Sequence, residues 1–543
     1  MANRISSVER PRNEPVLSYA PGTEEREALK RKLEELQSKE IEIPIFIAGR
    51  RYRTGDVGKC VCAHDHSRVL GRYHKVTDEL VEKAIDVALS SREEWANMPW
   101  VDRAAVFLRA ADLLSGPYRM TLNAAAMLCQ DKNVFQAEID SACELIDFLR
   151  FNVHYMSKIY EIQPESGGNM VNSMEYRPLE GFVFAVTPFN FASIMGNLPS
   201  APAMMGNVVI WKPATSAVYT SHFIRELFQE AGVPPGVITM LPGPGVKISK
   251  HVFRNPHFAG LHFTGSTETF DWMWKQIANN LDTYRTYPRI VGETGGKDFI
   301  FAHKTADVDE LVTAMIRGAF EYQGQKCSAA SRAYIPASIW SKVKRRLLKD
   351  LKSIKMGPPT DFSNFVNAVI DHASFGKIKN YIDYAKRAKG TEIIFGGSCD
   401  DSRGWFVEPT VVLVKNPKSK LMEEEIFGPV LTVYLYPDLQ YEETLRLCDE
   451  TSPYGLTGSI FAKDREAIIL ANRVLRNAAG NFYINDKPTG AVVGQQPFGG
   501  ARKSGTNDKA GSMYNLLRWV SIRTIKENLL PPKDYRYPFM QEE

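Results

Sequence analysis

The 543-residue chain has no run of about eighteen apolar residues, so no membrane-spanning helix is expected. It has no strong charge bias either: 67 Lys and Arg stand against 63 Asp and Glu, for a formal net charge of +4. No long basic run could follow a phosphate backbone, which argues against nucleic acid as a partner. The most basic short stretch, Lys342–Lys349, reads as the solvated face of a helix. Cysteine is sparse, with seven residues scattered along the chain; an odd, unpatterned set is no disulfide framework and fits a reducing compartment. Cys60 and Cys62, near His64 and His66, fall short of a zinc site because the spacing is not Cys-x2-Cys and no second ligand cluster follows, so no metal is expected. The opening Met1–Ile5 has neither a secretory apolar core nor a long Arg/Ser-rich amphipathic helix. Internal repeats and low-complexity segments are absent.

What remains is ordinary globular material, 44% hydrophobic and 24% charged, in a chain too long for one core, so at least two domains are expected. Residues 22–40 read as a solvated helix with Thr23 as its N-cap, and helical patterns follow over 78–95, 101–114 and 134–160. From Gly181 the pattern changes. Short apolar runs at 182–186, 208–211, 237–241, 261–263 and 290–291 alternate with helical patterns at 216–231 and 266–280, which predicts a parallel sheet. The weakly polar stretch 189–211 is broken by Gly196, Pro199, Pro202 and Gly206 and reads as a buried globular segment. A second alternating series over 304–485 has helices near 307–320 and 375–386 and strands near 406–414 and 430–436. Ligands of open parallel sheets gather at the carboxyl ends of the strands, where Thr187–Asn190, Lys212 and Gly265–Ser266 fall. No Gly-x-Gly-x-x-Gly follows the first strand, so the ordinary dinucleotide fingerprint is missing.

The stretch Phe320–Ser328 places Cys327 after Lys326, and a neighbouring cation favours the reactive thiolate. A lone cysteine is more often an inert buried residue. Here it follows Gly292-Glu293-Thr294-Gly295-Gly296-Lys297, so a nucleophile and a candidate carboxylate base occur in order. Asn190, after Pro188, reads either as a turn residue or as a donor to an oxyanion, and Glu293 as the base or as a glutamate holding its Gly-Gly turn.

These two motifs resemble the active-site glutamate and cysteine patterns of the aldehyde dehydrogenase superfamily. Thr187-Pro188-Phe189-Asn190, Trp211-Lys212-Pro213-Ala214, Phe263-Thr264-Gly265-Ser266, Glu425-Ile426-Phe427-Gly428-Pro429-Val430 and Pro497-Phe498-Gly499-Gly500 follow that family's order. The runs 477–486, 494–502 and 504–508 are closer still to the subfamily that oxidises L-glutamate-γ-semialdehyde. The resemblance implies an α/β aldehyde dehydrogenase fold: a Rossmann-like parallel-sheet cofactor domain (1–163 and 183–295), an α/β catalytic domain (296–508), and a small β oligomerisation flap (164–182 and 509–543). It implies Cys327 as nucleophile, Asn190 with the Cys327 N–H as oxyanion hole, and Glu293 as the base that hydrolyses a thioester. The cofactor would be NAD, held by Thr187, Lys212, Gly265, Ser266, Glu425 and Phe427. Many NAD-specific relatives carry glutamate where Thr215 stands, which leaves NADP open. For the substrate it implies Ser328, Gly490 and Ala491 around an α-carboxylate. Phe191 and Phe498 read as walls or as core packing, and Glu144 as a partner of the α-ammonium or as a surface residue. The partners implied are a small-molecule substrate and a second copy of the chain, a dimer foremost. Eukaryotic relatives point to the mitochondrial matrix, with a transit peptide atypical or removed; otherwise the cytoplasm is expected. The alternatives are another semialdehyde dehydrogenase, such as a succinate-semialdehyde type, or a catalytically silent protein on the same fold.

Overall fold

The computed structural model describes residues 7–542; the opening residues on which the import expectation turns lie outside them. Five strands form one all-parallel sheet in the spatial order Arg289–Glu293, Phe258–Thr264, Phe182–Val186, Val208–Lys212, Ile238–Met240. Its strands are nearly continuous apolar runs because helices cover both faces. The chain starts at the central strand, builds to one side, then crosses to the other. The switch point therefore lies between Phe182–Val186 and Phe258–Thr264, where open parallel sheets bind ligands.

A second sheet has seven strands, ordered Thr391–Phe395, Thr410–Val414, Val430–Tyr436, Ala330–Pro336, Asp298–Ala302, Thr457–Phe461, Asn481–Ile484. Only the edge strand Thr391–Phe395 runs antiparallel. The strand expected over 406–414 divides at Glu408-Pro409 into Phe406–Val407 and Thr410–Val414, since proline cannot donate to a ladder. Met170–Pro178 pairs antiparallel with Val520–Asn528, apart from both large sheets. Just four residues, Thr294–Lys297, separate the last strand of the five-stranded sheet from Asp298–Ala302. That strand pairs with Ala330–Pro336, placing Asp298 beside Ala330 and so near the segment that carries Cys327.

The first helix, Glu24–Gln37, buries Leu29, Leu33 and Leu36 along one face. Each such side chain contributes about 1.5–3 kcal/mol by leaving water. Thr23 holds the N-cap position, but its hydroxyl donates back to Ala20 O (2.9 Å) and caps nothing. The pattern at 134–160 is helical throughout, with a π-helical segment, Glu138–Glu144, inside it. Such bulges re-aim side chains and recur at functional sites. Beneath it lies Arg119–Gln130, a helix that the sequence did not announce.

Candidate active site

Cys327 sits on a loop whose backbone is unusual. Tyr322 (φ 52°), Gln323 (φ 55°) and Gly324 (φ 65°) are consecutive left-handed residues, costing about 1–2 kcal/mol for each non-glycine. Buried hydrogen bonds offset that strain. The Gln323 amide donates to Asp131 O (3.0 Å) and Ala368 O (2.7 Å) and accepts from Asn367 N (3.1 Å); Gln325 accepts from Ile370 N (2.9 Å). Glycine is required at 324, because a Cβ there would lie 2.3 Å from Gly428 O. Asn190 is buried and donates one amide proton to Gln325 O (3.0 Å), leaving the other for an acceptor near the thiol.

Lys326 does not act on the thiol as the sequence suggested. Its ammonium pairs with Glu321 (3.1 Å) inside the protein. Burial, and then the carboxylates of Asp298, Glu293 and Glu425, hold the Cys327 thiol well above its usual range, with the Ser328 N–H acting the other way. Attack by the sulfur requires its proton to leave. Burial also raises Glu293 well above the carboxylate range, while the Gly500 N–H (3.1 Å from Oε2) and Lys509 oppose that shift. A raised carboxylate that faces a thiol is a poised proton acceptor.

The proposed cofactor residues ring the carboxyl ends of the five-stranded sheet. The Lys212 ammonium, at the end of its strand, makes no hydrogen bond or ion pair among the described residues; burial lowers its pKa to about 8. Such an orphaned ammonium fits a hydroxyl-rich or anionic ligand. Ser266 caps Thr267–Ala278 by accepting from Thr269 N (3.3 Å), so the helix presents its positive end where Gly265 admits close approach. A Cβ on Gly265 would meet the Phe263 ring at 2.7 Å. The Thr187 hydroxyl is held by the Trp211 indole N–H (2.9 Å), so it braces two strand ends. Glu425 is tied down, accepting from Gly296 N (2.9 Å) over Gly295, which leaves its second oxygen for another donor. Phe427 is left-handed (φ 62°), its ring edge-on to Phe189 at 5.8 Å. Thr215 opens a short 3-10 turn beyond Lys212.

One cavity of about 360 Å³ is lined by Cys327 together with Ser328, Gly490, Ala491, Phe191, Phe498 and Glu144. Ser328 Oγ lies 2.8 Å from Thr489 Oγ1, which joins the loop to the segment bearing Gly490 (φ 93°). Glu144 is drawn inside, where burial and the neighbouring Asp140 push its pKa up to about 8. A cationic group entering the cavity would favour its ionised form.

The chain is similar to known proteins along nearly its whole length. The model described as "Aldehyde dehydrogenase family" matches residues 54–525. The chain belongs to the aldehyde dehydrogenase family. It is 55% identical over 538 residues (98% of the chain, 96% of the relative) to the mitochondrial delta-1-pyrroline-5-carboxylate dehydrogenase of Dictyostelium discoideum. It is 49% identical over 530 residues (97% and 94%) to the mitochondrial enzyme of that name from Homo sapiens. Among solved structures, the Mycobacterium tuberculosis Delta-pyrroline-5-carboxylate dehydrogenase bound with NAD superposes over 100% of both chains, with TM-score 0.96 and 50% identity.

Two groups of residues that shape this aldehyde dehydrogenase's pocket escaped the sequence reading. Lys132 is buried, ion-paired to Asp140, and lies 4.4 Å from the Phe191 ring and 4.6 Å from the Tyr322 ring. Asp140 also accepts from Ala192 N (2.9 Å) and Ser193 N (3.0 Å), so the pair locks the Phe191 wall to the nucleophile loop. The second group is the irregular N-terminal arm. Asn13, Glu14 and Val16 line the cavity; the Asn13 amide donates to Asp147 (2.7 Å) and Val493 O (2.8 Å), and Glu14 bridges Arg119 and Arg150. The only available hint was the charged pair Asp131-Lys132 closing an apolar helix; the arm carries no motif.

Proposed function

We propose that the chain oxidises L-glutamate-γ-semialdehyde, the open form of Δ1-pyrroline-5-carboxylate, to L-glutamate with NAD, the last step of proline breakdown. The observation that carries this is the shared cavity: Cys327 opens into the same space as Ser328, the Gly490–Ala491 backbone and Glu144, a set suited to a carboxylate and an ammonium on one short chain. Relatives of about 50% identity bear the corresponding name over nearly their whole length.

In this reading, the Cys327 thiol proton passes to solvent and the sulfur adds to the aldehyde carbon. The Asn190 amide and Cys327 N–H receive the resulting oxyanion. Lys212, Ser266, Glu425 and Phe427 would hold the dinucleotide, which when bound would supply the hydride acceptor. Cys327 then carries a thioester. A water gives its proton to Glu293 as its oxygen bonds to the carbonyl carbon; the C–S bond breaks and the acid leaves. NAD is favoured, with NADP left open at Thr215. The domain division, 1–163 with 183–295, 296–508, and 164–182 with 509–543, belongs to the same proposal and is supported by the separation of the five-stranded sheet, the seven-stranded sheet and the two-stranded pair Met170–Pro178 with Val520–Asn528. So do a homodimer formed through the two-stranded flap and residence in the mitochondrial matrix, for which relatives with mitochondrial names are the support.

The test is NADH production from pyrroline-5-carboxylate and from succinic semialdehyde by the wild type and by Cys327→Ala. Strong preference for the first, lost by at least about 10³-fold in the variant, is expected. Preference for the second would overturn the substrate assignment, and equal rates in the variant would overturn the nucleophile.

A further inference from the structure

We propose that Lys509 is the positioning residue of the general base: its ammonium closes the turn that holds Glu293 and supplies the unpaired positive charge facing it. The inference rests on the reading of Glu293 as the base. Lys509 Nζ donates to Gly480 O (2.8 Å), Gly499 O (3.0 Å) and Asn481 Oδ1 (3.3 Å). Asn481 in turn donates to Pro497 O (3.0 Å) and accepts from Gly499 N (3.2 Å). Next to Lys509, Ala510 exchanges two backbone hydrogen bonds with Phe498 (3.0 and 2.7 Å). Three segments thus close around one ammonium, and the turn between them offers Gly500 N–H to Glu293 Oε2 at 3.1 Å. There is little slack, since a Cβ on Gly499 would lie 3.2 Å from Glu293 Oε1.

All three of the acceptors are neutral, and among the described residues Lys509 has no carboxylate within ion-pair distance. Its charge is therefore not cancelled locally, and in a half-buried setting it acts on the nearest anion. The other titratable groups facing Glu293 are Asp508, itself held by Thr506 and by Arg518 (3.2 Å), and the Cys327 thiol. Asp508 raises the Glu293 pKa; Lys509 lowers it. Lys509 sits left-handed (φ 52°), a conformation that nothing but the surrounding contacts would select.

An activated aryl ester, p-nitrophenyl acetate, isolates the step without any oxidant. The Cys327 sulfur bonds to the ester carbonyl carbon, the thiol proton passes to solvent, and the C–O bond breaks to release p-nitrophenolate. Water then hydrolyses the acetyl thioester, its proton going to Glu293 and the sulfur leaving as thiolate. For Lys509→Met the stoichiometric burst is retained. The steady-state rate falls about tenfold or more, and its acid limb moves to higher pH, because a base lacking its cation ionises later. Lys509→Arg, which keeps charge and donors, returns the limb toward wild type even if its rate is lower. A burst and steady rate that fall together with an unmoved limb would show mere structural support and overturn the proposal, as would an unchanged Lys509→Met profile. A wild type that gives no Cys327-dependent burst fails the nucleophile reading itself, a result separate from either.

Discussion

The two ends of the substrate cavity are held in different ways. At the thiol end, a left-handed nucleophile loop is held by buried hydrogen bonds from other parts of the chain: Gln323 to Asp131 O and Ala368 O, Asn190 on Gln325, and Ser328 against Thr489. At the far end, the N-terminal arm, the π-helical segment and residues 493–495 meet only in the folded chain. There Asn13 reaches Asp147 and Val493, Arg10 donates to Gly494 O (2.7 Å), and Leu17 N donates to Glu138 (2.9 Å). The thiol end stores backbone strain; the far end is an ordinary extended segment tied by side chains. Chemistry needs the first to be rigid, whereas selection of chain length and head group needs the second to close.

The sharpest break of this comparison is Gln323→Leu. It strands Asp131 O, Ala368 O and Asn367 N–H inside the protein while two residues remain left-handed, a loss of about 3 kcal/mol or more. Thermal melting should fall clearly, and kcat should drop with little change in KM. A smaller effect is expected at the other end. Asn13→Ala removes two donated hydrogen bonds, worth about 1 kcal/mol each, and should raise KM roughly fivefold to tenfold with kcat nearly unchanged. Steady-state kinetics at matched temperature distinguish the two. If both variants altered the same constant, the division between a rigid end and a closing end would not stand.

The comparison also explains what was legible in the sequence. The five-stranded sheet could be read because its strands are apolar runs with turn signals between them, and the residues at their ends follow from the topology. Cys327, Glu293 and Asn190 could be singled out as candidates because each lies in a short motif. The loop's conformation could not, since Gln323 is held by residues 131, 367 and 368, distant in sequence. The thiol's electrostatics were misjudged for a related reason: Lys326 is adjacent along the chain, but its ammonium turns to Glu321, and burial followed by three carboxylates from other segments acts at the sulfur. Lys132 and the arm were invisible because their meaning arises only from partners such as Phe191, Asp147 and Val493.

The central claim is that Cys327 carries the acyl group and Glu293 releases it. Intact-mass analysis of Glu293→Gln, mixed with NAD and pyrroline-5-carboxylate and quenched in acid, tests it most directly. The account predicts one NADH per active site followed by a stall, with a γ-glutamyl adduct that maps to Cys327. Continuous turnover at the wild-type rate with no adduct would contradict it.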